Sequence, residues 1–173
     1  MRYETWKKLD EIRAATQKDF GKVVQKLLAL TLLELGATRV TDRAIQGIDI
    51  EARLDDRDLA MEVKTGESST VRVGSKDLKG LDARRSEGYT TLLAVLGGRL
   101  IDDWQLLPVP GTDLKLNSDL EVTFLRPYMD RALGDRVSAA FVEIVDRYGI
   151  AAATGGQLAL NAILEQHEHY ALA

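Results

Sequence analysis

Three features of this sequence predict an α/β domain, a central mixed sheet flanked by helices, followed by a helical C-terminal tail. Residues 48–54 and 59–64 each alternate apolar and polar side chains, the period-two signature of half-buried strands. A long helical pattern over residues 18–35 precedes them. A nearly continuous apolar run, residues 89–96, follows a basic helical segment and reads as a buried strand. The order that results is α-β-β-β-α-β.

Residues 4–16 form a short amphipathic helix with Trp6, Leu9 and Ile12 at helical spacing. In the helix over 18–35, Phe20, Val23, Val24 and Leu27 make an apolar stripe, and Gly36 terminates it. Beyond Leu27 the helix is apolar almost all round, which predicts deep burial of its C-terminal half. Lys18, Lys22 and Gln25 lie on another stripe, which either faces backbone phosphates or is an ordinary solvated face. Residues 37–41 read as the first strand, and residues 65–69 as a polar loop at the edge of any site. Residues 77–85 form a helix with Leu78 and Leu81 inward. Lys76, Lys79, Arg84 and Arg85 make it basic, and Arg72 lies just upstream. These side chains either position a DNA backbone or are solvated residues partnered by Asp82 and Glu87.

Beyond Gly97-Gly98, residues 99–107 and 120–125 look like strands separated by the turn signal Pro108–Thr112, extending the sheet at one edge. Pro127 opens the helical tail. Val137, Phe141, Ile144 and Val145 repeat at helical spacing up to Gly149, and a second helix spans 157–170. The expected division is a core domain over 1–126 and a helical extension over 127–173, serving as an oligomerisation element or a lid. The second tail helix carries no lysine or arginine and is a poor reader of a DNA groove. His167 and His169 point in different directions on a helix and read as surface residues.

The chemistry concentrates in the hairpin. The segment Asp55-Asp56-Arg57-Asp58 is a polar turn signal between its strands. With a two-residue turn, odd positions before it share a face with even positions after it. Ile48, Ile50, Ala52 and Leu54 then join Leu59, Met61 and Val63 on one face, while Asp49, Glu62 and Lys64 share the other. Carboxylate oxygens are the hard ligands Mg²⁺ prefers. A bound cation polarises a phosphoryl group and yields hydroxide near neutral pH, and a nearby lysine helps position the water. The bland alternative is a charged solvent face with Lys64 paired to one of the acids.

Gly47-Ile48-Asp49 followed by Glu62-Val63-Lys64 resembles the PD-(D/E)XK nuclease superfamily, with its restriction-endonuclease-like fold. Within it the pattern is most similar to archaeal Holliday-junction resolvases and Mrr-type restriction nucleases, over roughly residues 17–97. The resemblance implies that Asp49, Glu62 and the Val63 carbonyl bind Mg²⁺, with Mn²⁺ as substitute, and that Lys64 assists the attacking water. Ile48 replaces the proline of the motif. Resolvases often carry a glutamate on the preceding helix, where this chain has Gln25. A glutamine brings no negative charge there, so any second metal would be held more weakly or only through water. If the wild type binds DNA without cutting it, cleavage recovered in Gln25→Glu is expected to show that the missing carboxylate silences the site. A glutamine often found after the lysine has no evident match, and the nearest position holds Asp77.

Composition bounds these readings. The 173 residues suit one domain with a small appendage, and the absence of cysteine excludes disulfides and thiolate zinc sites. The N-terminal residues lack the apolar core of a signal peptide, and the run 27–35 is too short for a membrane span. A cytoplasmic, membrane-free protein is expected. The net charge of −4 disfavours tight nonspecific DNA binding, yet residues 1–90 carry 17 basic against 16 acidic side chains. The acidity therefore lies in the C-terminal half. No phosphate-binding glycine loop, Gly-x-Ser-x-Gly elbow or long repeat is present.

Two functions follow as expectations. One is a Mg²⁺-dependent endodeoxyribonuclease acting on branched, damaged or foreign DNA, with Lys18, Lys22, Arg72, Lys76 and Lys79 on the backbone and a homodimer as the assembly. The other is a weak or inactive nuclease fold serving as a DNA-binding or assembly subunit.

Overall fold

The computed structural model describes residues 3–42, 48–66, 70–97, 103–109, 119–121 and 126–172. Gly47 and residues 67–69, 99–102, 110–112 and 122–125 of the sequence reading lie outside them. Helix α1 (Tyr3–Thr16) passes through a short 3₁₀ turn (Gln17–Asp19) into α2 (Phe20–Glu34). Leu9 and Ile12 of α1 and Phe20 to Leu32 of α2 are largely buried. Gly36 ends α2 at φ 89°, a left-handed conformation that glycine adopts without a Cβ penalty.

Strands β1 (Arg39–Asp42), β2 (Ile50–Leu54) and β3 (Arg57–Gly66) form an antiparallel meander. The turn between β2 and β3 has two residues, Asp55 and Asp56, at φ 50° and 60°. Positive φ at both central positions is the geometry that matches the twist of a tight hairpin, and aspartate tolerates it. The register pairs Ile50 with Met61 and Ala52 with Leu59, as the alternation requires. Strand β4 (Thr70–Arg72) leads to α3 (Ser75–Ser86), and β5 (Thr90–Gly97) then pairs parallel to β3. Strand β6 (Gln105–Pro108) adds antiparallel to β5.

The central sheet is mixed, ordered β6-β5-β3-β2-β1-β8 with β8 (Tyr170–Leu172) at its far edge, and both of its faces are covered. On one side α1, α2 and the long C-terminal helix pack against Ile50, Ala52, Leu59, Met61, Leu92 and Ala94. On the other, Leu78 and Leu81 of α3 join Ala60, Val71, Leu93 and Val95. Two-sided burial is why β5 reads as a continuous apolar run.

The C-terminal part departs from expectation in three ways. Strand β7 (Asp119–Glu121) does not extend the core sheet; it pairs antiparallel with β4 in a separate two-stranded sheet. The helix α4 (Arg131–Leu164) runs through Gly149, which is buried mid-helix beside the Lys8 side chain of α1, and kinks at Gly156 (φ 54°, ψ −138°). After Leu164 the second tail segment is no longer helical: residues 170–172 form β8 (Tyr170–Leu172), parallel to β1. Leu133, Val137, Phe141 and Ile144 of α4 share the core with α1 and α2. Ion pairs Lys8–Asp146 (2.8 Å) and Arg147–Glu34 (3.0 Å) tie α4 to both helices. His167 and His169 are exposed, as the sequence reading had them. No described helix is long and apolar enough to cross a membrane.

Candidate active site

The hairpin alternation carries Glu62 and Lys64 of β3 to the α3 side of the sheet, opposite Met61 and Val63. Glu62 is 5% exposed. Lys64 Nζ donates to Glu62 Oε1 at 2.7 Å and to Asp77 Oδ2 at 2.7 Å. Asp77, in the first turn of α3, also accepts the Gly74 N–H at 3.0 Å, a bond typical of a carboxylate near a helix start. Lys64 is therefore bridged between a strand carboxylate and a helix carboxylate.

Asp49 precedes β2, where the ladder ends. Its N–H donates to the Met61 carbonyl at 3.0 Å, and its Oδ2 accepts the Val63 N–H at 2.8 Å. The carboxylate thus takes the place of the next ladder acceptor. The chain bends here, so Ile48 does not join Ile50. It packs instead with Ala60 and Val71 on the α3 side, which corrects the expected face for that residue.

Gln25, buried on α2, brings the helix to the same place. Its Nε2 donates to the Asp49 carbonyl at 2.9 Å and to Asp42 Oδ1. Asp42 is 0% exposed and is ion-paired through Oδ2 with Lys26, itself 2% exposed. The Tyr170 hydroxyl of β8 lies 3.4 Å from the same oxygen. The stripe of Lys18, Lys22 and Gln25 is accordingly not one surface: the two lysines are exposed and the glutamine is interior.

Electrostatics express this crowding. Burial raises Asp49, against the lowering effect of the Val63 N–H and the Lys64 charge. Glu62 is pushed up to about 8 by burial and by the neighbouring Asp49, only partly offset by Lys64. Burial opposes the charge of Lys64, but its bonds to Asp77 and Glu62 outweigh that and raise it. Burial also works against ionised Asp77, yet Lys64 and the Gly74 N–H hold its carboxyl below the usual range. Two strand carboxyls that resist sharing negative charge are what a cation between them would relieve.

The donor set fits a hard divalent cation in that sense. Asp49 Oδ2 is held on the N–H of Val63, the residue after Glu62, and Mg²⁺ is held by one or two carboxylates with water filling its other positions. Among the described residues, no three carboxylate or histidine side chains form a ready metal cluster. Any site here rests on two carboxylates, backbone and water.

The basic residues fall into two groups. Gly21, at the start of α2, approaches Thr65 of β3 so closely that a Cβ there would lie 3.3 Å from its hydroxyl oxygen. The N-terminal end of α2 with Lys22, and the 3₁₀ turn with Lys18 just before it, therefore lie at the end of β3 that carries Lys64. Lys76 and Lys79 line a cleft of about 490 Å³ with Ser75 and Gly80, on the first turns of the helix that supplies Asp77. Arg72 is exposed on β4. Arg84 instead pairs with Glu51 and Glu87, and Arg85 with Asp82, so these two follow the structural alternative.

Sequence reasoning passed over Asp42 and Lys26 and noted Asp77 only as a neighbour of an expected glutamine. One signal was available: Lys26 opens a helical stretch, residues 27–33, in which only Thr31 is polar, and a lysine there must be partnered or protrude.

No family model and no curated protein sequence matches the chain. Among solved structures, the fold is similar to that of Hjc, a Holliday junction resolvase from the archaeal hyperthermophile Archaeoglobus fulgidus, determined at 1.6 Å resolution. The match covers 66% of this chain and 95% of that one, with a TM-score of 0.52 and 17% sequence identity. Nearly the whole resolvase is thus matched within two thirds of this chain, and the likeness is one of fold.

Proposed function

We propose that this chain is a Mg²⁺-dependent endodeoxyribonuclease that hydrolyses phosphodiester bonds in branched DNA. The observation that carries the reading is the convergence of Asp49, Glu62 and Lys64 at one end of β3, on a fold similar to that of a Holliday junction resolvase. Asp49 and Glu62, with the Val63 carbonyl, would hold the cation, and Mn²⁺ would substitute for Mg²⁺. When bound, such a cation polarises the phosphoryl group and makes hydroxide available near neutral pH. Lys64 stays protonated between Glu62 and Asp77, so it orients water and stabilises charge developing on phosphate by donating hydrogen bonds. Lys18, Lys22, Arg72, Lys76 and Lys79 contact the DNA backbone without reading sequence. A homodimer in the cytoplasm is the matching assembly, because a four-way junction offers two equivalent strands to cut.

Cleavage of four-way junctions, linear duplex and single strands in Mg²⁺, Mn²⁺ or EDTA tests this. Metal-dependent nicking of the junction that is lost in Asp49→Ala is expected. The second reading, a DNA-binding or assembly subunit, is favoured by the acidic total charge of −4. It takes over if the chain binds junctions and cuts no substrate with either metal.

A further inference from the structure

The Gln25 amide serves two acceptors at once, the Asp49 carbonyl and the Asp42 carboxylate. Only a side chain with two N–H donors does this, and a carboxylate has none. Both Asp42 oxygens are occupied: Oδ1 by Gln25, Oδ2 by Lys26 and the Tyr170 hydroxyl. Asp42 is therefore not a spare ligand. It is a fixed acceptor that orients the amide. Asp49 in turn is held at three points, its N–H by the Met61 carbonyl, its carboxylate by the Val63 N–H and its carbonyl by Gln25.

We propose that Gln25 is a positioning residue for Asp49: its amide, oriented by the Lys26-clamped carboxylate of Asp42, seats the Asp49 carbonyl, and the site requires a donor rather than a carboxylate at position 25. This reverses the expectation drawn from sequence. A glutamate at 25 would face Asp42 as a second buried anion and would release the Asp49 carbonyl. The consequence for cleavage rests on the nuclease reading; the consequence for Asp49 does not.

The test uses the full chain and two variants, Gln25→Glu and the double Gln25→Glu, Asp42→Asn. The double variant exchanges donor and acceptor between positions 25 and 42 but still leaves the Asp49 carbonyl without its donor. Hydrogen exchange of the Val63 amide, measured without metal and normalised to the Leu28 and Leu93 amides, reads the seat of Asp49 directly. In both variants that amide should exchange about tenfold faster, the scale of one lost buried hydrogen bond. The double variant should regain thermal stability relative to the single one, separating the fold from the positioning. On a four-way junction with Mg²⁺, kcat should fall in both variants by a similar factor with KM little changed. Unchanged Val63 protection in Gln25→Glu, or faster cleavage by it, overturns the proposal. A wild-type chain that cuts nothing removes the nuclease reading, while the exchange result still decides the role of Gln25.

Discussion

The ammonium of Lys64 lies 2.7 Å from Asp77 Oδ2, a contact that joins the strand carrying the candidate site to the first turn of α3. It means that α3 holds the lysine in place as well as covering the sheet. Asp77→Ala should leave Lys64 bonded to Glu62 alone and free to swing. Junction cleavage should fall about tenfold, less than for loss of a group that meets the transition state itself. Asp77→Asn, which keeps an acceptor, should lose less. Single-turnover rates for the two variants check this, and an Asp77→Ala enzyme as fast as wild type would show that the contact is idle.

Much of this arrangement was legible in the chain because it is local. The hairpin announces itself by alternation, and one two-residue turn fixes which side chains share a face. The pairing of Lys26 with Asp42 spans two elements and a bend, so no periodicity records it. Gln25 looked like an empty ligand position because its acceptors, a carbonyl and a buried aspartate, are set by how α2 crosses β1 and β2. The C-terminus misled for a related reason. Residues 157–170 have helical composition throughout, yet β1 offers a free edge, and pairing along it outweighs helix propensity for Tyr170–Leu172. Gly149 resembled a helix stop, but α4 runs through it, and it lies buried against the Lys8 side chain of α1.

The buried pair makes a stability prediction. Lys26→Met leaves Asp42 charged, fully buried and short of its counter-ion, which typically costs on the order of 3–5 kcal/mol. The double variant Lys26→Met, Asp42→Asn should recover a large part of that loss, because an uncharged amide is far cheaper to bury. Urea unfolding of the three proteins measures both steps. Equal stability of wild type and Lys26→Met would mean that the Lys26–Asp42 pair does not hold the fold together.

Glu62 makes a prediction with a definite sign. Its carboxyl titrates at about 8 in the folded chain, against an ordinary 4.5. Between those values the folded protein keeps a proton that the unfolded chain has released, so metal-free stability falls as pH rises through this window and levels off above it. The loss is on the order of a few kcal/mol, and Asp49 shifts in the same direction. In EDTA, Tm should therefore be lower at pH 8.5 than at pH 6, and Glu62→Gln should flatten most of that slope. Adding Mg²⁺ at pH 8 should raise Tm in wild type and much less in Asp49→Ala, since a ligand that binds only the folded state shifts unfolding. An unchanged slope in Glu62→Gln would assign the titration to another group.

The last prediction separates chemistry from DNA binding. Asp49→Ala, Glu62→Ala and Lys64→Ala should each slow cleavage on the order of a hundredfold or more, the scale seen when one transition-state stabiliser is lost. In EDTA the two acidic variants should bind junctions at least as well as wild type, because each removes a carboxylate that repels phosphate. Replacing Lys18 and Lys22 together, or Lys76 and Lys79 together, should act the other way. Those side chains are exposed, Lys18 on the 3₁₀ turn before α2, Lys22 in the first turn of α2, and Lys76 and Lys79 at the start of α3. Affinity should drop for every DNA sequence, and its dependence on salt should flatten as fewer phosphates are neutralised. A lysine pair whose loss leaves both affinity and salt dependence unchanged lies off the DNA path, and the backbone must then approach β3 from the other helix.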